Sequence, residues 1–94
     1  MTRVLIHHNV QDYDKFRTVF DFDAERRRRY GSRGGVLLRG QEGPNDYFAL
    51  FDWDDAENAR RFVASFETQE AFEWVSAVGP VTAWVLEDVE QVEV

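Results

Sequence analysis

The chain has 94 residues, enough for one domain that buries about 65% of the surface its unfolded form exposes. A fold this small gains stability from association, which favours a dimer. With 18 acidic and 11 basic residues the net charge is −7, which opposes binding to nucleic acid or to anionic membranes. The chain has no cysteine, which excludes disulfides and fits a cytoplasmic protein, and no apolar stretch reaches the roughly 20 residues that span a bilayer.

The hydrophobic pattern predicts the order strand, helix, strand, strand, helix, strand. The first strand covers about residues 3–10, and Asp12 then caps a helix of about five turns that ends at Gly31. Residues 34–40 and 47–53 follow as the two strands of a hairpin, joined by a turn rich in glycine, proline and asparagine.

The second half of the chain predicts a broken helical region and a last strand. Asp54 and Glu57 stand three apart, as in a capping box, and a break is expected near residues 67–68. Gly79-Pro80 ends the helical region, and residues 81–88 form the fourth strand.

Four consecutive arginines, Arg26 to Arg29, occupy the last turns of the first helix. Cations are favoured there by the negative end of the helix dipole. The run therefore predicts a solvent-exposed basic helix end.

The predicted strands are apolar on both faces, for example in residues 4–10 and 47–51. A sheet of this kind needs two covers, and the helices are enough for one. We expect an α+β fold with one domain over residues 1–94: a ferredoxin-like βαββαβ unit with a four-stranded antiparallel sheet and the helices on one face. A second copy covers the other face, which gives a homodimer and a barrel, and residues 89–94 extend the fourth strand across the partner.

Several segments resemble the dimeric α+β barrel superfamily. They are Asn9-Val10 before Asp12-Tyr13-Asp14-Lys15-Phe16, the turn Gly43-Pro44-Asn45-Asp46, and Phe51-Asp52-Trp53-Asp54-Asp55 leading into Ala59-Arg60-Arg61-Phe62. The chain looks closest to small bacterial proteins grouped with antibiotic-biosynthesis monooxygenases and cyclases.

The resemblance implies a dimeric α+β barrel whose ligand cleft lies between the sheet and the helices of each subunit. Relatives include cofactor-independent oxygenases of polyphenols, polyketide cyclases, isomerases and haem-degrading enzymes, so the fold does not fix a reaction. A haem-degrading relative would carry a histidine on the second helical region. The only histidines here are His7 and His8, so we expect no haem and no other cofactor.

His7 and His8 are the side chains whose ordinary pKa lies nearest neutrality. Neighbouring side chains of a strand point to opposite faces, so the two cannot converge on one metal ion or substrate atom. Parity with Ile6 and Val10 places His8 on the helix side and His7 toward the partner sheet. His8 is therefore the candidate general base or hydrogen-bond donor. The alternative for both histidines is a structural hydrogen bond in the core.

Five further side chains are candidates for binding a flat ligand. Aromatic rings suit planar apolar compounds, and an arginine fork with a nearby phenol binds a carboxylate or phenolate. The candidates are Tyr13, Trp53, Phe62, Trp74 and Arg39. The alternative for the aromatic residues is core packing, and for Arg39 an edge-strand charge that prevents aggregation.

Asp52, Asp54 and Asp55 cluster in the sequence without indicating a metal site. Asp54 and Asp55 lie where a helix needs a cap, and no histidine or further acid has the spacing of a fourth ligand. We expect no metal.

Two functions remain open at this stage. One is a cofactor-independent monooxygenase, cyclase or isomerase that acts on a planar aromatic or polyketide-like compound. The other is a non-catalytic dimer that binds a small ligand or acts through association alone. A second polar group within hydrogen-bond reach of His8 and an open path from solvent favour the enzyme, and a small filled space favours the non-catalytic dimer.

Overall fold

The computed structural model describes residues 1–75 and 81–94, without the side chains of Phe66, Trp74 and Val75. The elements in this part of the chain are β1 (Thr2–Asn9), α1 (Tyr13–Phe22), α2 (Ala24–Tyr30), β2 (Ser32–Arg39), β3 (Asp46–Trp53), α3 (Ala56–Ala64), α4 (Phe66–Val75) and β4 (Thr82–Glu87). The strands pair antiparallel in the order β2-β3-β1-β4. This is the ferredoxin-like arrangement, so the predicted fold class is confirmed.

One face of the sheet is buried beneath the helices. In β1 the even-numbered residues from Thr2 to His8 are buried and the odd-numbered residues are half-buried. Burial also alternates along β3, where the odd-numbered residues are the buried ones. The main core on this face consists of Val4, Ile6, Ala49, Phe51, Trp53, Ala59 and Phe62. The helix side of the sheet therefore holds most of the hydrophobic core.

The opposite face of the sheet, called the open face below, carries a central apolar row and has no cover among the described residues. Strand register aligns Val36, Leu50, Leu5 and Trp84 in one row across all four strands. Val36 is 53% exposed and Trp84 is 43% exposed. An apolar surface of this extent is typical of an interface.

The predicted first helix is divided at Asp23 into α1 and α2, so the expectation of one five-turn helix was wrong. Its two ends are as predicted, since Asp12 accepts a hydrogen bond from the Lys15 amide at 3.1 Å and Gly31 ends α2 at φ 117°. At the division Asp23 adopts φ −87° and ψ 0°, and its carboxylate binds the Arg26 guanidinium at 2.7 and 2.8 Å.

The second helical region begins one residue later than the capping pattern predicted. Asp55 is the N-cap of α3 and accepts a hydrogen bond from the Asn58 amide at 2.8 Å. The predicted pairing of Asp54 with Glu57 was wrong, because the Asp54 carboxylate instead accepts the Asp55 amide and the Asn58 side chain. The helical break falls at Ser65, two residues before the predicted position.

The predicted helix end at Gly79-Pro80 lies outside the described residues. After β4, residues 88–94 are exposed and belong to no helix or strand, so their pairing with a partner stays a prediction. None of the helices in the described part of the chain is long and apolar enough to cross a membrane.

Candidate functional site

His8 lies on the helix side of β1, as strand parity indicated. Its side chain is buried, with 3% of the residue exposed. The rings of Phe16 and Phe72 pack against it edge-on, with centroid distances of 5.1 and 5.9 Å. The imidazole therefore sits between α1, α4 and the sheet, among aromatic carbon.

The Nδ1 atom of His8 is buried without a hydrogen-bond partner among the described residues. Such atoms are uncommon, because an unsatisfied buried polar atom costs about 1–3 kcal/mol. Burial lowers the pKa of His8 to about 4, and the nearby His7 contributes a smaller lowering. At neutral pH the imidazole is therefore uncharged, and it is a weaker base than an exposed histidine unless a bound anion offsets the cost of its positive charge.

A small cavity lies directly beside this imidazole. Its volume is about 30 Å³, room for one or two water molecules. Its lining consists of Ile6, His8, Phe16, Val19, Phe20, Asp23, Arg27, Phe51, Phe62, Ala71 and Phe72. The lining is thus mainly aromatic and aliphatic, with polar side chains from three positions.

Arg27 lines the same cavity as His8 without a hydrogen bond to its Nδ1, and the sequence reasoning missed it. It is 8% exposed, so the prediction of a solvent-exposed basic helix end was wrong at this position. Its guanidinium carbon lies 3.9 Å from the Phe20 ring centroid and 5.3 Å from that of Phe51. Burial lowers the pKa of Arg27, but an arginine in a protein stays protonated. The cavity therefore has a neutral imidazole, a guanidinium cation and the Asp23 carboxylate in its walls.

Of the predicted binding residues, Phe62 lines this cavity. Tyr13 and Arg39 line a separate open groove of about 370 Å³, together with Tyr47. Tyr13 stacks on Tyr47 with ring centroids 5.3 Å apart, and register places Arg39 beside Tyr47 on the helix side of the sheet. Phe62 is therefore in a different hollow from Tyr13 and Arg39.

Trp53 is 2% exposed and does not line the His8 cavity. Its ring packs on Phe62 at a centroid distance of 4.9 Å, and its indole N–H donates to the Tyr30 carbonyl at 2.9 Å. Its position fits the core-packing alternative. Trp74 belongs to α4, and its side chain lies outside the described residues.

His7 lies on the open face, as parity indicated. Its Nε2 is 2.9 Å from the Asp46 carboxylate, and its ring packs against Phe48 with centroids 4.9 Å apart. The two histidines therefore occupy opposite sides of the sheet. Within residues 1–75 and 81–94, no group of three histidine or acidic side chains is arranged to hold a metal ion.

Comparisons with known proteins were informative only at the level of structure. No family model and no curated protein sequence matches the chain. SnoaB, a cofactor-independent oxygenase from Streptomyces nogalater, is 21% identical with a TM-score of 0.71, over 97% of this chain and 94% of that one.

Two further solved structures carry names from the antibiotic biosynthesis monooxygenases. One from Bordetella bronchiseptica is 22% identical with a TM-score of 0.75, over 95% of this chain and 97% of that one. One from Deinococcus radiodurans is 13% identical with a TM-score of 0.73, over 100% and 98%. The chain has the antibiotic-biosynthesis-monooxygenase-like fold. The resemblance expected from the sequence is thereby confirmed as a likeness of fold, and this monooxygenase-like fold hosts many reactions.

Proposed function

We propose that the protein is a cytoplasmic homodimer that binds a planar aromatic or polyketide-like compound beside His8, and that His8 accepts a proton from this compound. The observation that carries the proposal is the buried Nδ1 of His8, which has no hydrogen-bond partner among the described residues and lies at the wall of a ring-lined cavity. Removing a proton from a phenol or enol is a first step suited to cofactor-independent oxygenation, cyclisation and isomerisation alike. SnoaB, which has the same fold, is a cofactor-independent oxygenase.

The homodimer is supported by the apolar open face. Leu38, Trp84 and Leu86 are each more than 40% exposed in the single chain. A stable dimer buries at least about 1,200 Å² in total, and two such sheets packed face to face form a barrel core about 10 Å thick. Sedimentation tests this point, and a folded monomer at micromolar concentration would contradict it.

The polar groups of the cavity suit proton abstraction. A neutral imidazole is the form that accepts a proton, and the anion left on the ligand then stabilises the imidazolium by opposite charge. Arg27 lies in the same cavity wall and adds a fixed positive charge. The aromatic side chains give a flat apolar compound its contacts and keep water away.

The cavity must enlarge before such a compound enters, because about 30 Å³ is far below the roughly 300–1,000 Å³ of ligand sites. Ala71 and Phe72 of α4 form one wall. This helix packs against α1 and α3, so a shift of α4 widens the cavity without breaking the sheet.

The same small volume favours a second candidate function, a non-catalytic dimer whose cavity is a packing defect in the core. The two candidate functions differ in whether the protein converts a compound that it binds. We expect a panel of phenolic and quinone-like compounds to include one that is converted by the protein without added cofactor. The second candidate predicts no conversion of any compound, even where one binds.

The replacement His8→Ala tests the role of the imidazole. It should lower turnover by about 10² to 10⁴, the usual contribution of a positioned acid or base, and leave the dimer folded. The matched control is His7→Ala, which should change dimer affinity or melting temperature and leave turnover close to wild type, because His7 lies on the other side of the sheet. A larger loss of turnover from His7→Ala would contradict the proposal.

A further inference from the structure

A third hollow lies between α2 and the beginning of β2, and Arg27 is part of its lining. This groove has a volume of about 350 Å³, and three arginines, Arg27, Arg28 and Arg33, line it together with Phe51. The chain as a whole carries a net charge of −7, so this concentration of positive charge is local. A groove of this size lies within the range of small-molecule sites.

The arginines of the groove have few partners of their own among the described residues. Arg28 pairs with Glu25, whereas no carboxylate there lies within 4.0 Å of Arg27 or Arg33. The nearest candidate for Arg27 on the same helix turn, Asp23, binds Arg26 instead.

Arg27 is the informative member of the group because it is more than nine-tenths buried. Its guanidinium has five N–H donors, and within the described residues it donates one hydrogen bond, to the Phe20 carbonyl at 2.8 Å. A buried charge is normally paired, because an unpaired one costs several kcal/mol of solvation. The carboxylates of Asp23 and Asp21 act on Arg27 only through space, without a direct contact, so its free donors are open to a bound anion.

Arg27 and Phe51 each line both the groove and the His8 cavity. The two hollows are therefore neighbours, separated by one guanidinium that lies over aromatic rings. A ligand with its charged group in the groove would have its apolar part near Phe51, which both hollows share.

We propose that the groove is a carboxylate-binding site and that the compound taken up beside His8 is an aromatic carboxylic acid in its ionised form. This rests on the proposed function, which it deepens by naming the ligand class. Arginine forks match the two oxygens of a carboxylate, and Phe51 in the lining suits an aromatic ring rather than a bare inorganic ion.

The test uses two probes of similar size that differ in charge, 1-hydroxy-2-naphthoate and 1-hydroxy-2-naphthamide. Their affinities for the dimer are compared by isothermal titration calorimetry. We expect the carboxylate to bind about 10- to 100-fold more tightly than the amide, the usual effect of charge-assisted hydrogen bonds. Arg27→Met should bring this ratio near one, and Arg33→Gln should lower it severalfold. The matched control is Arg61→Gln on α3, whose partner is Glu57 and which should leave the ratio unchanged.

Arg27 packs on two rings, so its replacement can unfold the chain. A measurement on the wild-type protein tests the site without relying on this variant. The Nε–Hε signal of Arg27 should shift on titration with the naphthoate and stay in place with the amide. Equal affinities of the two probes, or no binding of the naphthoate, would overturn the carboxylate site. Tighter binding of inorganic phosphate than of the naphthoate would overturn the assigned ligand class.

The outcomes also separate this inference from the proposed function. If the amide binds as well as the carboxylate and His8→Ala weakens both, the groove is not the recognition site but the proposed function stands. If the carboxylate binds through Arg27 and no aromatic acid is ever converted, the site stands and the proposed proton transfer falls.

Discussion

Acidification should destabilise the protein through His8 before most carboxylates titrate. The pKa of His8 is about 4 in the fold against 6.5 for the free side chain, because burial disfavours the charged imidazolium. Between these two values the unfolded chain binds more protons than the folded chain, so stability is fully present above pH 6.5 and is lost as the pH falls toward 4. Between about pH 7.5 and about pH 5 the loss from this one group is about 2 kcal/mol.

The replacement His8→Gln isolates this contribution, because it keeps a neutral polar side chain and removes the titration. Urea unfolding followed by tryptophan fluorescence should be recorded at both pH values, at one protein concentration, for wild type and variant. The stability difference between the two proteins should change by about 2 kcal/mol between the two conditions. An unchanged difference, or a pKa of His8 near 6.5 by NMR titration, would refute the burial argument.

Four further substitutions test the fold. Gly31→Ala should cost about 2 kcal/mol of unfolding free energy, since φ is 117° and the new Cβ would meet the Asp54 carboxylate. Gly34→Ala, at φ 97° with open space around it, should cost about 1 kcal/mol. Equal shifts in melting temperature would contradict the predicted clash with Asp54. Trp53→Phe removes a buried donor bonded to a backbone carbonyl at 2.9 Å and should cost about 1–3 kcal/mol in urea unfolding, and an unchanged midpoint would show that this hydrogen bond contributes nothing. Leu50→Arg places a charge in the central row of the open face and should give a folded monomer in sedimentation; a dimer of wild-type affinity would mean that the interface lies elsewhere.

The parts that local rules govern were predictable from the sequence. The two-residue alternation of a strand was enough to place His8 and His7 on opposite faces, because parity does not depend on the exact strand ends. The order of elements and the short hairpin likewise specified the sheet. The break at Asp23 was not predictable from hydrophobic spacing, since the apolar stripe continues through it.

The candidate site was only partly predictable, because it depends on which helix face meets the sheet. The dipole argument treated Arg27 as one of four equivalent cations at a helix end. In the continuous helix that the sequence predicts, Arg27 lies seven residues after Phe20, two turns along the same face. This spacing was the available signal that Arg27 turns inward. The division between the His8 cavity and the Tyr13–Arg39 groove results from packing between distant elements, which one sequence does not display.

Long-range ¹H–¹⁵N NMR of the imidazole nitrogens of both histidines, recorded during titration with 1-hydroxy-2-naphthoate, shows on which side of the sheet the ligand binds. The central claim is that ligand binds on the helix side, against the buried Nδ1 of His8. We predict that the His8 nitrogen signals shift with saturation while those of His7, held by Asp46 on the open face, stay in place. A shift of His7 alone, or saturable binding with both histidines unmoved, would contradict the account.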